Sequence, residues 1–364
     1  MVIDWQTGSP SEWRADGLIF FAFEGSNEPL PGFRRWMETG GSWLAESASL
    51  GDFKGKAQQV FVHYGPKDAG ISRVICAGLG PREKFDLDKL RAAAALALRK
   101  CRDLEIARPA LAVSALEGLP MDLHEALEEA VSAALAGLYR YEELKSKTDE
   151  SPASCPEALV LLSETEPEPS IVEAAATGLA VGEAIGFTRD LVSAPANLVT
   201  PGYMAEAARR LAERHGFQTR IIDFATAKSM GMGAFVAVAQ GSREPAYVII
   251  LEHTPAGTEQ DAPLVLIGKG ITFDTGGISL KPSDKMGAMK QDMAGAAAVL
   301  GVFEAIGRTK LTRRVVGILP CTENMPDGMA YRPGDVLKTL SGKTVEVIST
   351  DAEGRLILCD AITY

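Results

Sequence analysis

Short apolar runs that end in glycine alternate, along the first half of the chain, with longer segments rich in alanine and leucine. GLIFFAF (17–23), QQVFVHYG (58–65) and SRVICAGLG (72–80) are too short for helices and read as buried strands. LDKLRAAAALALRKCRDL (87–104) and DLHEALEEAVSAALAGLYRY (122–141) read as helices, and EALVLL (157–162) as one more strand. Strand alternating with helix predicts a sheet of parallel strands covered by helices. The stretch SETEPEPS (163–170) is acidic and broken by prolines, the pattern of an interdomain linker. The expected domains are therefore 1–163 and 171–364, joined through 164–170.

In the second half, IVEAAATGLAVGEAIGFTRDLV (171–192) predicts a long helix. AFVAVAQG (234–241), AYVIILEH (246–253), PLVLIGKGITFD (263–274) and RRVVGILPCTE (313–323) predict strands. AGAAAVLGVFEAIG (294–307) supplies a helix between the last two of them. Strands this uniformly apolar are buried on both faces, which predicts a central sheet between helical layers. The fold class is α/β with two domains.

Composition narrows the function classes. Of the 364 residues, 46% are hydrophobic and 23% charged, as in a soluble protein with a substantial core. The net charge of −11 disfavours a general nucleic-acid or anionic-membrane surface. The five cysteines, Cys76, Cys101, Cys155, Cys321 and Cys359, form no CxxC pair, which argues against a zinc knuckle or a disulfide framework. The N-terminus lacks the basic and apolar regions of a signal peptide, and no apolar run approaches the length of a membrane span. A cytoplasmic protein is the expectation.

Candidate chemistry concentrates in two places. KGITFDTGGISLKPSDKMGAMKQD (269–292) interleaves Lys269 and Lys281 with Asp274 and Asp292 at a strand end and the loop after it. Ligand sites in open α/β sheets gather at such strand ends. Asp292 by itself reads equally well as a helix cap. In VEVISTDAEGRLIL (345–358), a predicted strand runs into Asp351, Glu353 and Arg355. Four carboxylates gathered at one point would raise one another's pKa unless cations neutralised them, and neither cluster holds a histidine. Two divalent ions bridged by shared carboxylates would satisfy that demand. Oxygen donors alone suit Mg or Mn, and a nitrogen donor shifts the preference toward Zn, Co or Mn. Lys281 and Arg355 read either as surface ion pairs or as groups aimed at charge developing on a carbonyl. SGKT (341–344) resembles the end of a phosphate-binding loop, but Leu337 stands where its first glycine belongs, so a turn between strands is expected.

STDAEGRL, KGITFDTGGISLKP, MKQDMAGAAAV and MAYRPGDVLKTLSGKTVEV together resemble the leucyl aminopeptidase family of dinuclear metallopeptidases. FTRDLVSAPANLVTP (187–201) is similar to the opening of that family's catalytic domain. The resemblance covers 171–364 strongly. It implies an N-terminal macro-like α/β domain, and a catalytic domain built on a central mixed sheet between helices. It implies one metal on Asp274, Asp351 and Glu353, and a second on Lys269, Asp274, Asp292 and Glu353. Mn or Zn are the ions it favours. It further implies that Lys281 polarises the scissile carbonyl and that Arg355 holds a bicarbonate proton relay. Met289 would line the pocket for the first side chain. The implied substrates are peptides, cut after leucine-like N-terminal residues, and the implied assembly is a homohexamer. Two departures stand out. Ser349 occupies a position where the family usually has asparagine, and family members continue beyond the position of Tyr364 through a segment that completes the substrate pocket. Two other readings are a catalytically impaired metal-binding scaffold and a DNA-binding regulator of the same family.

Overall fold

The computed structural model describes residues 1–25, 30–39, 41–44, 51–146 and 155–364. Contacts divide the chain into two compact units, Met1–Glu183 and Ala184–Tyr364.

The first unit is built on a six-stranded sheet of β1 (Val2–Thr7), β2 (Gly17–Ala22), β3 (Val60–Tyr64), β4 (Arg73–Gly78), β5 (Pro109–Ala112) and β6 (Ala158–Ser163), in the order β1-β6-β5-β2-β4-β3. All pairings are parallel except that of β3 with β4 at one edge. Its helices among the described residues include α1 (Pro31–Thr39), α2 (Leu87–Asp103) and α3 (Leu123–Leu138). Asp86 starts α2 by accepting from Lys89 N, and Asp122 starts α3 by accepting from His124 N and Glu125 N. The expected strands and helices of this half are present. The sequence pattern did not disclose β1, whose VIDWQT is only half-buried and mixes polar with apolar residues.

Helix α4 (Pro169–Ser193) is 25 residues long and apolar enough to cross a membrane by length and composition alone. Its small residues instead bring it close to a neighbour: a Cβ on Gly178 would stand 2.4 Å from the Glu128 carbonyl oxygen of α3.

The second unit contains α5 (Pro201–His215), β7 (Gln218–Asp223), α6 (Phe224–Met230), α7 (Gly233–Ala239), β8 (Tyr247–His253), β9 (Leu264–Ile267), β10 (Gly270–Asp274), α8 (Ala294–Arg308), β11 (Val315–Asn324), β12 (Val336–Lys338), β13 (Thr344–Glu346) and α9 (Glu353–Thr363). β11 is the sheet's central strand. On one side it pairs in parallel with β9 and β10, and on the other it runs antiparallel to β8, which pairs with β7. The sheet is mixed, as the resemblance implies. The stretch read as a single strand over 263–274 divides at Gly268 and Lys269 into β9 and β10. The SGK of SGKT lies in the turn of the β12–β13 hairpin, and Thr344 opens β13.

One element departs from expectation. Residues 234–239, read as a strand, form helix α7. AFVAVA is apolar at every step and carries no period that separates helix from strand. Its helical start is fixed from afar: Asp360 Oδ2 on α9 accepts from Ala234 N and Phe235 N, both at 2.9 Å.

Candidate metal centre

β10 and β11 end side by side, with Asp274 opposite Asn324 in the register. Both side chains are buried. The loop after β10 folds back so that Gly276 N donates to Asp274 Oδ1 (2.9 Å) and Lys281 N to the Thr275 carbonyl (2.9 Å). This turn returns Lys281 to the end of its own strand. A second loop reaches the same point from β13 through a 3-10 turn, Thr350–Ala352, into α9. The two loops are stitched together. Ser279 N donates to Thr350 Oγ1 (2.8 Å), Thr350 N to Ser279 Oγ (3.1 Å), and Thr350 Oγ1 to the Gly276 carbonyl (2.6 Å).

Carboxylate oxygens of Asp274, Asp351 and Glu353 consequently lie within 4.8 Å of one another. Lys269, between β9 and β10, places its Nζ 2.6 Å from Glu353 Oε1 and 2.8 Å from Asp292 Oδ2. Lys281 Nζ lies 2.9 Å from Asp274 Oδ2 and donates to Asp351 Oδ1. Asp292 does not cap α8. It ends the 3-10 turn Met286–Gln291, and Met293 stands at the helix start without a side-chain cap. Room for Lys269 comes from Gly354, where a Cβ would stand 2.6 Å from Lys269 Cε and 2.8 Å from its Nζ.

Four carboxylates thus share two ammonium groups, an excess of two negative charges in a partly buried place. The pKa directions follow. Burial pushes the Asp292 carboxyl up, helped by the charges of Asp274 and Glu353 and opposed by Lys269. Burial pulls on the Lys269 ammonium, yet Asp292 and Glu353 outweigh it and hold its pKa above the ordinary lysine value. Lys281 behaves in the same way between Asp351 and Asp274. Tyr331, whose hydroxyl donates to the Thr350 carbonyl at 2.6 Å, is raised by burial and then by Glu353, Asp274 and Asp351.

The donor set fits divalent cations. It is carboxylate-rich, its oxygens converge, and buried Asp292 Oδ2 accepts no hydrogen bond of good geometry despite its ion pair. Lys269 can join such a set only after giving up its proton.

Of the residues singled out in the sequence, Lys269, Lys281, Asp274, Asp292, Asp351 and Glu353 converge. Arg355 is exposed one residue further along α9 than Gly354 and has no ion-pair partner among the described residues. Met289 is half-buried on the 3-10 turn that leads to Asp292. Ser349 accepts from Asp351 N at 3.2 Å and so caps the turn that carries Asp351. The residues that sequence reasoning passed over are Asn324, Thr350, Tyr331 and Gly354. The only signal for Asn324 is its register opposite Asp274, which requires knowing that β10 and β11 are neighbours.

The chain has relatives among known proteins. The catalytic-domain model of the cytosol aminopeptidase family matches residues 186–364, and the model of that family's N-terminal domain matches 22–148. A probable cytosol aminopeptidase of Syntrophobacter fumaroxidans is 56% identical over the whole chain, which spans 72% of that protein. A second, from Nitratidesulfovibrio vulgaris, is 48% identical, again over the whole chain and 72% of the relative. Among solved structures, a tomato leucine aminopeptidase variant superimposes with a TM-score of 0.84 at 28% identity, covering 100% of this chain and 71% of the other. The bottromycin maturation enzyme BotP in complex with Mn gives 0.77 at 34% identity, covering 96% and 68%. The chain belongs to the cytosol aminopeptidase family.

Proposed function

We propose that the chain is a dinuclear metal-dependent aminopeptidase that releases N-terminal residues, leucine-like ones preferred, from peptides. The observation that carries this reading is the convergence of Asp274, Asp292, Asp351 and Glu353 around only two ammonium groups. Asp274, Asp351 and Glu353 would hold one ion, and Lys269, Asp274, Asp292 and Glu353 the other. Two divalent cations bound here supply the positive charge that activates water and polarises a peptide carbonyl. Mn is favoured by the oxygen-rich donors, with Zn next.

The chain's own groups do the remainder. Lys281 Nζ, 2.9 Å from Asp274 Oδ2, is a fixed donor for the oxyanion of a carbonyl turning tetrahedral. Its raised pKa keeps that donor charged. Arg355, exposed and unpaired among the described residues, is suited to hold a small anion such as bicarbonate, which would carry the proton that no free carboxylate remains to accept. Met289 offers an apolar contact for the first side chain. A homohexamer in the cytoplasm is the assembly and setting that accompany this reading.

The test is metal stoichiometry of the purified chain, with Asp292→Asn and Lys281→Ala alongside. Two ions per chain, falling in Asp292→Asn, are expected. Lys281→Ala should keep both ions and lose peptide turnover by about a hundredfold or more. A folded chain that takes up no divalent metal would overturn the reading, and one that holds both ions yet turns over no peptide would favour the catalytically impaired metal-binding scaffold. An active Lys281→Ala protein would remove Lys281 from the mechanism.

A further inference from the structure

We infer that Asn324 is a positioning residue of the metal centre, an inference that rests on the proposed dinuclear site. Asn324 is the last residue of β11 and is fully buried. Its Nδ2 donates to Asp274 Oδ1 at 2.8 Å and to the Thr350 carbonyl at 3.0 Å, with Glu353 Oε2 at 3.5 Å. One neutral amide thus reaches three of the four chain segments that deliver carboxylates to the centre: the β10 end, the 3-10 turn that carries Asp351, and the start of α9.

The contacts assign the two oxygens of Asp274 different tasks. Oδ1 already accepts from Asn324 Nδ2 and from Gly276 N. Oδ2 faces Lys281. Two donors on Oδ1 fix the plane of the carboxylate and leave Oδ2 as the oxygen turned toward the cluster. A cation in place of asparagine would compete for these carboxylates, and an aspartate would add a fifth negative charge to a group already in excess. The amide orients without changing the charge. Its orientation is also unambiguous, because a flipped amide would set Oδ1 against Asp274 Oδ1 and the Thr350 carbonyl, pairing acceptor with acceptor. Outer donors of this kind commonly change metal affinity by about 10–100-fold when removed.

The experiment is Mn2+ titration by calorimetry of the purified wild type and Asn324→Ala, with metal-free thermal unfolding recorded for both. Asn324→Ala should bind Mn2+ about tenfold more weakly or worse, with kcat reduced and KM for a leucyl peptide little changed. Its metal-free melting should remain cooperative. Should Asn324→Ala fail to fold, Asn324→Ser, which keeps a buried hydroxyl but is too short to span both acceptors, is read in its place. Wild-type affinity for Mn2+ in either folded variant overturns the inference while leaving the metal centre intact. A wild-type chain that binds no Mn2+ overturns the metal-centre reading itself.

Discussion

Glu304 and Glu353 are both glutamates on helices of the second unit, and the side chain of each is only 3% exposed. Their surroundings are opposite. Glu304, near the end of α8, has Arg308 at 2.6 Å, His215 at 3.1 Å and Arg214 at 3.4 Å. Glu353, at the start of α9, has Lys269 at 2.6 Å, and that lysine is shared with Asp292. Asp274 and Asp351 share Lys281 beside it. Around Glu304 cations outnumber the carboxylate, all its lone pairs are engaged, and the helix C-terminus favours the same positive groups. Around Glu353 carboxylates outnumber cations. The first arrangement is complete as a structural anchor. The second gains by taking up positive charge. Burial of an acid is common to both, so charge balance, not burial, separates a ligand set from a fixed ion pair.

The largest test of this contrast is Gly354→Ala. The new methyl would occupy the space of Lys269 Cε and Nζ and drive the ammonium away from Glu353. Alanine is the better helix former at this position, so the fold should hold or gain slightly. Mn2+ affinity is expected to fall by at least about tenfold and peptide turnover by more. Unchanged Mn2+ binding, measured by titration calorimetry, would mean that Lys269 is a bystander and would blur the distinction from Glu304.

Asp360→Ala sharpens the comparison from a third side. This acid is buried and has no ion-pair partner among the described residues. It accepts from Ala234 N and Phe235 N at 2.9 Å and from Leu340 N at 2.8 Å. Truncation leaves three donors without an acceptor and should cost about 3 kcal/mol in urea unfolding. A loss below about 1 kcal/mol would show that water replaces the carboxylate there.

How far the sequence reveals these three acids depends on where their partners lie along the chain. The lysines and carboxylates of the centre fall in two short blocks at strand ends, so their convergence is legible once the strands are placed. Asp360 is different. Two of its three partners lie 126 and 125 residues away, and without them AFVAVA gives no sign of being a helix. β7 (QTRIID) escapes for a similar reason: mostly exposed, it shows little of the apolar run that marks a buried strand. Asn324 escapes because the strand read over 313–323 stops one residue short of it, and its tie to Asp274 shows only once β10 and β11 are known to end together. The pattern shows what a segment buries on its own. It does not show which distant group completes it.

The smallest expected effect belongs to Glu304 itself, and it is a matter of pH. Burial raises this carboxyl, but hydrogen bonds from Arg308 and His215 outweigh burial and hold it below the ordinary glutamate value. A depressed folded pKa stabilises the protein above the unfolded glutamate value of about 4.3, and the benefit disappears as pH falls through the lower folded value. Arg214, Arg308 and His215 are the charged or titratable groups that contact Glu304, and the two arginines remain cationic throughout this range. Glu304→Gln removes the titration while keeping the shape. Thermal unfolding should therefore find wild type above Glu304→Gln at about pH 6, with the gap closing toward about pH 3. Mn2+ affinity should be the same in both proteins, because this acid already has its cations. A gap that stays constant over the whole range would show that Glu304 contributes packing and hydrogen bonds alone. A loss of Mn2+ binding in Glu304→Gln would break the separation of the two clusters altogether.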